Sequence, residues 1–568
     1  MNRRKDAYST EGWTISELVT ILGTVFIAAS VFMLLLNRLT IVTVPAYVLA
    51  GLAISGIVPE SQMISLSQAG IAFLVFVFGA KTDIERLSSV ARESIATTVA
   101  GITAVSVPVY IIGSGLGLGS QNSLYLAIAA GLSSSLVGLE LIENEISIDL
   151  LHGRLSESIQ LTQDMVAVLL VTLLASSLTY ESIATHMLYL AVLVGAALFF
   201  RSQVFSNLEK LTGGSRELTM LSALASLTAF IGLGELLGTS IVVSAFAAGL
   251  SMAKFPQNTE VLETVGPLKD FFSAIFFVSL GALVTVPGAE TILLTAVLLA
   301  ATAIVKPVVN GLLLMGSGYD RRTSYLAGLS LDQMSEFALI ISIQAYAAGT
   351  IAQPVFQSII ITATVTMVTS SYTSKYAEKI YDLTASIGLV EVNSSKINQR
   401  TEIPEDLSGH ILLLGYDTQG REIAETLQNS GRDFVVLEND PEKIMEASET
   451  VDYYIFGDAM DSETWRKARV SSADLVISTV PQEKISEKIL GLETGADIVL
   501  RAEDIPEAKN LIERGATYVN VPEILFSEEL IDHIRGVMED INYREELRRR
   551  NLLELRKELN PGEYDEEV

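Results

Sequence analysis

Up to about residue 374 the chain is a succession of apolar runs, each close to the length needed to cross a lipid bilayer. A membrane-spanning helix needs about 20 apolar residues, so this repeat excludes a soluble globular fold for that part. Thirteen spans are read, near 14–36, 39–57, 66–80, 94–116, 122–142, 155–179, 182–200, 217–235, 238–253, 266–286, 289–315, 324–348 and 354–374. Gly and Pro punctuate several of them, which neighbouring helices tolerate in lipid. The first run, Ile15 to Leu36, is long enough to be expected to stay as a helix rather than serve as a cleaved leader. Over all 568 residues, 49% are hydrophobic and the mean hydropathy is +0.43. Cysteine is absent, which removes disulfides, thiolate metal sites and Cys nucleophiles from consideration.

The loops orient the spans. Those after spans 1, 3, 5, 7, 9 and 11 hold Arg38; Lys81, Arg86 and Arg92; Arg154; Arg201, Lys210 and Arg216; Lys254; and Arg321 and Arg322. Those after the even spans ("VPES", "GLGSQN", "LTYES", "LGTS", "VPGAE", "GTIAQP") hold no Lys or Arg. The positive-inside rule then places the odd loops in the cytoplasm, the N-terminus outside and everything after the last span inside. Arg3, Arg4 and Lys5 dissent, against six concordant loops. An odd count of thirteen means that equivalent helices in two halves are related by an inverted repeat, as in many secondary transporters.

Few ionisable residues sit well inside the spans: Asp164, Lys306, Asp332, Glu336 and, less deeply, Glu140. A charge in the bilayer costs a few kcal/mol or more and marks an ion or proton route, a structural salt bridge, or a span drawn one turn wrong. For Glu140, before the polar run "ENEISID", the span-end explanation is preferred. Span 12, "YLAGLSLDQMSEFALIIS", is polar for about five residues in its middle. Its counterpart in the first half, span 5, is broken by Gly131 and by Ser133, Ser134 and Ser135. One Gly/Ser-broken span per half is the pattern of discontinuous helices whose unwound backbone forms an ion site near the bilayer midplane. Serine-rich close packing of helices would give a similar pattern.

After residue 400 the character changes. The segment carries 39 acidic and 18 basic residues, so most of the chain's net charge of −28 sits there, and that balance argues against nucleic-acid binding. "HILLLGYDTQGREIAETLQNSGRDFVVLENDPEKI" reads as strand, tight turn, helix and strand, and the alternation continues through "ADLVISTV" and "DIVLRAEDIPEAKNLIERGATYVNV". Such spacing predicts a parallel, Rossmann-like sheet. The first turn is Gly415-x-Asp417-x-x-Gly420, with Asp417 where the second glycine of GxGxxG lets a pyrophosphate approach. Glu438, at the end of the second strand, suits a ribose hydroxyl. The residues alone leave open a bound nucleotide and a domain that kept the fold without the ligand.

"TVPAYVLAGLAISGIVPE", "QAGIAFLVFVFGAKTDIERL", "LTQDMVAVLLV", "PLKDFFSAIFFVSLGALV", "IVKPVVNGLLL" and "DQMSEFALIIS" occur in this order. As a set they resemble the monovalent cation:proton antiporter superfamily, specifically its Kef-type potassium branch. The resemblance implies that Asp164 is the carboxylate that binds ion or proton. Gln163 beside it is similar to the potassium-efflux members, where electrogenic sodium antiporters carry a second Asp. Lys306 matches the lysine of the eleventh span. Of a Gly-Gln-x-Gly-Glu-Phe element, Gln333, Glu336 and Phe337 are kept, while Asp332 and Ser335 replace the glycines. Together with Ser133, Ser134 and Ser135, Lys306, Asp332, Gln333 and Glu336 are the expected supporting residues of the transport site.

"LLLGYDTQGREIAETL", "VVLENDPEKI", "GDAMDSETWRKARVSSADLVIST" and "GATYVNVPE" resemble the RCK, or TrkA N-terminal, regulatory domain of potassium transporters and channels. That resemblance implies pairing across a homodimer and a regulatory nucleotide of the NAD(H) or AMP type, with Gly415, Gly420, Glu438, Asp458 and Arg501 as contacts. The expected layout is a polytopic α-helical membrane domain with an inverted-repeat antiporter fold and crossed broken helices at 1–384, and a linker at 385–408. A Rossmann-like domain follows at 409–533, with a charged helix and tail at 534–568. The expected activity is electroneutral exchange of K+ for H+ across the cell membrane. Na+/H+ exchange on the same fold is the alternative, with a ligand-gated potassium channel as the reading of a different class. A channel filter needs a TVGYG-like loop, which the sequence lacks. An oxidoreductase would need an acid/base or substrate domain, and His152, His186, His410 and His533 supply none.

Overall fold

The computed structural model of the chain describes residues 15–36, 43–82, 84–135, 151–174, 180–205, 216–254, 257–319, 321–386, 403, 404, 406–539, 543–550 and 552. Glu140 and most of the expected 385–408 linker lie outside the described residues. Two compact units divide the chain, Met1–Ser394 and Ser395–Val568.

The first unit is helical throughout. Its first half holds α1 (Ile15–Leu36), α2 (Thr43–Ala53), α3 (Glu60–Lys81), α4 (Ile84–Gly115), α5 (Ser120–Gly131) and α6 (Leu151–Leu174), followed by α7 (Tyr180–Phe199). Its second half holds α8 (Arg216–Leu237), α9 (Ile241–Leu250), α10 (Gln257–Ala282), α11 (Ala289–Ala300), α12 (Lys306–Ser317), α13 (Arg321–Leu329), α14 (Glu336–Ala347) and α15 (Gln353–Lys375). A short amphipathic helix, α16 (Ala377–Ser386), ends the unit. Among the described residues, nine helical stretches are long and apolar enough to cross a membrane. The expected spans 2 and 9 are described only as the short α2 and α9, of 11 and 10 residues.

Glycine decides how these two short helices pack. A Cβ built on Gly51 of α2 would lie 2.1 Å from the Val278 carbonyl of α10, and one on Gly281 would lie 2.0 Å from the Val48 carbonyl. The same reciprocal contact joins α3 and α9, where Gly79 meets Phe246 O at 2.4 Å and Gly249 meets Phe76 O at 2.0 Å. Small residues let helix backbones approach this closely in lipid. Span 2 against span 10 and span 3 against span 9 are one contact made twice, as an inverted repeat requires.

Spans 5 and 12 are interrupted where Gly and Ser fall. Residues 132–134 after α5 are non-helical and the helix resumes at Ser135. Between α13 and α14 the chain unwinds, and Ser335 caps α14 by accepting the Phe337 N–H at 3.0 Å.

The second unit is a six-stranded parallel sheet in the order β3-β2-β1-β4-β5-β6. Its strands are β1 (His410–Leu414), β2 (Phe434–Glu438), β3 (Tyr454–Phe456), β4 (Ala473–Ser478), β5 (Asp497–Arg501) and β6 (Tyr518–Asn520). Burial is complete along β1 and β2, as expected of strands covered on both faces. The order reverses between β1 and β4, which opens a crevice at their carboxyl ends. The helix after β1, α17 (Thr418–Asn429), starts at that crevice.

Candidate ion-binding site

The two helix breaks meet each other. Ser335 N–H donates to the Leu132 carbonyl at 3.2 Å. Ser133 Oγ donates to the Leu331 carbonyl at 3.1 Å, and Gln333 Nε2 to the Ser134 carbonyl at 3.2 Å. Unwound backbone of one half is thus satisfied by the other half, which helices interrupted in lipid need.

Lys306 joins both breaks. The α-helical ladder widens into a π-helical turn at Ala301–Val305, just before Pro307, which has no N–H to donate. From there the fully buried ammonium donates to the Leu132 carbonyl at 2.8 Å and to the Gln333 carbonyl at 2.7 Å. α13 presses close, because a Cβ on Gly328 would sit 2.5 Å from the Pro307 carbonyl.

Asp164 and Gln163 lie within α6, both buried. Gln163 Oε1 accepts the Ser133 N–H at 2.7 Å, so the residue beside the carboxylate is tied to the first break. Asp164 has 0% exposure, and neither of its oxygens has a hydrogen-bond partner in ordinary geometry. Ser135 and Glu336 are the side chains that interact with it, and Ser135 Oγ donates to Glu336 Oε1 at 3.0 Å. A bare buried carboxylate is costly unless something neutralises it. A proton or a dehydrated cation supplies that neutralisation.

Asp332 is held elsewhere in the same break. Ser370 Oγ of α15 donates to its Oδ1, and Thr373 Oγ1 donates to its Oδ2. The same Ser370 Oγ lies 3.0 Å from Gln333 Oε1, which shares its single proton. Sequence reasoning did not single out Ser370 and Thr373; the run "TSSYTSK" at the end of the last span was the signal available.

In the second unit, Gly415 takes φ +93°, a left-handed conformation, and a Cβ there would meet Thr479 Oγ1 at 2.4 Å. Gly420 lies against the Gly415 carbonyl, where a Cβ would come within 2.2 Å. Asp417 caps α17, accepting the Gly420 N–H at 3.0 Å. Glu438 accepts the Tyr416 N–H at 2.7 Å on one oxygen and those of Asn439 and Asp440 at 2.7 and 2.9 Å on the other. Asp458 is fully buried and accepts the Met460 N–H, while Arg501 donates to the Thr479 carbonyl at 3.4 Å. Gly415, Glu438, Asp458 and Arg501 lie at or within two residues of the carboxyl ends of strands, and Gly420 lies in the first turn of α17. Asp417 puts a negative charge at the helix N-terminus, where the diphosphate of a dinucleotide would bind. A carboxylate has about four acceptor positions, so Glu438 keeps one for a ribose hydroxyl.

The transmembrane model of the sodium/hydrogen exchangers matches residues 24–375, and the TrkA-N domain model matches residues 411–522. This chain belongs to the sodium/hydrogen exchanger family. The exchanger is 25% identical over 534 residues to the putative cation/proton antiporter YbaL of Escherichia coli, spanning 89% of this chain and 95% of that protein. It is 23% identical over 540 residues to the putative K(+) efflux antiporter KefB of Alkalimonas amylolytica, spanning 90% and 79%. The crystal structure of the TrkA-N domain of YbaL is 26% identical, with a TM-score of 0.22, and the match covers 22% of this chain and 97% of that one. The exchanger is a multi-pass membrane transporter with a C-terminal TrkA-N domain, in agreement with the Kef-type resemblance, and its family exchanges a cation for a proton.

Proposed function

We propose that the exchanger moves K+ against H+ one for one, through Asp164. The observation that carries this reading is a fully buried carboxylate, beside the crossing of two broken helices, whose oxygens have no hydrogen-bond partner in ordinary geometry. Asp164 holds a proton or a cation, never both, and either one makes it neutral enough to be carried past the apolar barrier as access alternates. The empty carboxylate resists that passage, which prevents leak. Gln163 contributes an amide and no second charge, and Lys306 keeps its two carbonyl partners, so no net charge moves in a cycle. Preference for K+ over Na+ rests on Gln163.

The soluble unit is proposed to sense a nucleotide with Gly415, Gly420, Glu438, Asp458 and Arg501, of the AMP type rather than NAD(H), because Asp417 stands in the diphosphate position. Thirteen spans, an external N-terminus, a cytoplasmic TrkA-N domain, a homodimer through both units and residence in the plasma membrane complete the proposal.

The test is flux in proteoliposomes with an internal pH dye. K+-driven proton movement, abolished in Asp164→Asn, supports exchange at this residue. Flux unchanged in that variant overturns it, flux driven by Na+ alone reassigns the cation, and a large current indifferent to the proton gradient indicates a channel.

A further inference from the structure

We propose that His152, Ser156 and Gln160 of α6 line the route by which protons reach Asp164 from the side of the membrane facing the soluble unit. The proposal rests on Asp164 being the ion-binding carboxylate. The three residues precede Asp164 at successive intervals of four, so they stack on one face of the helix. All three are buried, Ser156 and Gln160 completely. α13 covers this face: Gln160 Nε2 donates to the Ser330 carbonyl at 3.3 Å, and Ser156 Oγ, which donates to the His152 carbonyl at 2.8 Å, lies 3.3 Å from the Ala327 carbonyl. The two helices therefore run side by side in the same direction. Arg322, at the start of α13, pairs with Glu378 of α16, which follows the last span. The His152 end of the column accordingly lies on the side where the chain leaves the membrane for its soluble unit.

Close packing does not account for the column. Gln160 Oε1 and Ser324 Oγ of α13 are buried without a hydrogen-bond partner, as is Thr98 Oγ1 of α4, a helix that packs against α6. Each such group is costly when dry, and water entering along the seam would satisfy it. Past Asp164 the same face becomes apolar. Ala167, Val168 and Val171 are buried there, and the next hydroxyl on the face is Thr172, two turns beyond Asp164, which donates to the Val168 carbonyl at 3.0 Å. The polar seam is therefore one-sided. Its lining is neutral amide and hydroxyl with an imidazole at the mouth, which orders water but offers a cation no anionic ligand before Asp164. While the site faces this side, a cation that takes the proton's place on Asp164 sends that proton out along this water, and the proton is taken up again on the opposite face once access has alternated.

Because the chain has no cysteine, single-cysteine variants of the full-length protein read this route directly. Ser156→Cys, Gln160→Cys, Val168→Cys and the outward-facing Leu169→Cys are placed in membrane vesicles. A charged, membrane-impermeant methanethiosulfonate is applied to one face, identified by protease release of the soluble unit. S156C and Q160C are expected to react from the face of the soluble unit, faster than V168C and L169C. Equal rates at all four positions, no reaction at S156C and Q160C, or reaction only from the opposite face overturns the proposal. In flux assays Gln160→Leu is expected to slow proton movement about a hundred-fold, the low end for a positioned proton-transfer path, without changing the cation KM, while Gln160→Asn retains most of it. A raised cation KM in Gln160→Leu would instead put Gln160 in the cation site. Labelling does not depend on turnover, so loss of the Asp164 reading and loss of the route are separable outcomes.

Discussion

Lys306 Nζ donates to the Leu132 carbonyl at 2.8 Å, and the same ammonium holds the Gln333 carbonyl, so one side chain ties together the interrupted helices of both halves. Its charge also lies where two half-helices present the negative ends of their dipoles. Lys306→Ala leaves both carbonyls unsatisfied, at about 1–3 kcal/mol each. The variant is expected to lose several kcal/mol of stability and all transport. Thermal unfolding of detergent-purified protein checks the first and proteoliposome flux the second; an unshifted Tm would show that the breaks hold each other without the lysine.

Gln163 accepts the Ser133 N–H at 2.7 Å and adds no charge beside Asp164. Wild-type flux should therefore be indifferent to an imposed membrane potential, and Gln163→Asp should make it voltage-sensitive. A valinomycin-clamped flux series distinguishes the two, and voltage-dependent wild-type exchange would refute the one-for-one stoichiometry.

Gly249→Ala places a methyl group 2.0 Å from the Phe76 carbonyl and 2.7 Å from the Ala80 nitrogen, with only backbone to give way. Overpacking of this kind costs about 1–3 kcal/mol. Gly51→Ala, its counterpart across the repeat, would come 2.1 Å from the Val278 carbonyl and is expected to lower the Tm by a similar amount. Gly23→Ala, which meets nothing within 4 Å, should leave it unchanged.

Asp417→Gly removes an N-cap and a negative charge together. The variant should lose only about a few tenths of a kcal/mol of local stability and gain affinity for a dinucleotide diphosphate. Calorimetric titration of NADH and AMP into full-length wild type and variant is the measurement. Wild type binding NADH more tightly than AMP would contradict the charge argument.

Burial pushes the Glu507 carboxyl above its ordinary range, reinforced by Glu483, Asp504 and Glu503 and opposed by the Glu503 N–H that it accepts at 2.8 Å. A raised carboxyl in the fold contributes stability below the unfolded-state value of 4.5, and that contribution is lost as pH rises through the raised value. Hydrogen-exchange protection of the helix Ile505–Glu513 should fall over that window in wild type and stay flat in Glu507→Gln.

Spans, loops and the strand–helix alternation of the soluble unit were legible along the chain because each is a local property. Hydrophobic length, loop charge and residue period depend on near neighbours in sequence. The unusual residues were legible too, since Asp164, Lys306, Asp332 and Glu336 stand out against apolar surroundings. What each of them touches was not. Lys306 reaches Leu132 across 174 residues, Asp332 is held by Ser370 and Thr373, and Gln163 is tied to Ser133. Sequence alone determined that this chain lies in a membrane, that one span in each half is interrupted by Gly or Ser, and that a carboxylate falls inside an apolar span. Only the tertiary structure decided that the breaks satisfy each other's backbone, that Asp164 lies beside Ser135 and Glu336, and that Gln163 is tied to the first break. Those outcomes follow from hydrogen bonds between groups far apart in the chain, which no local pattern encodes.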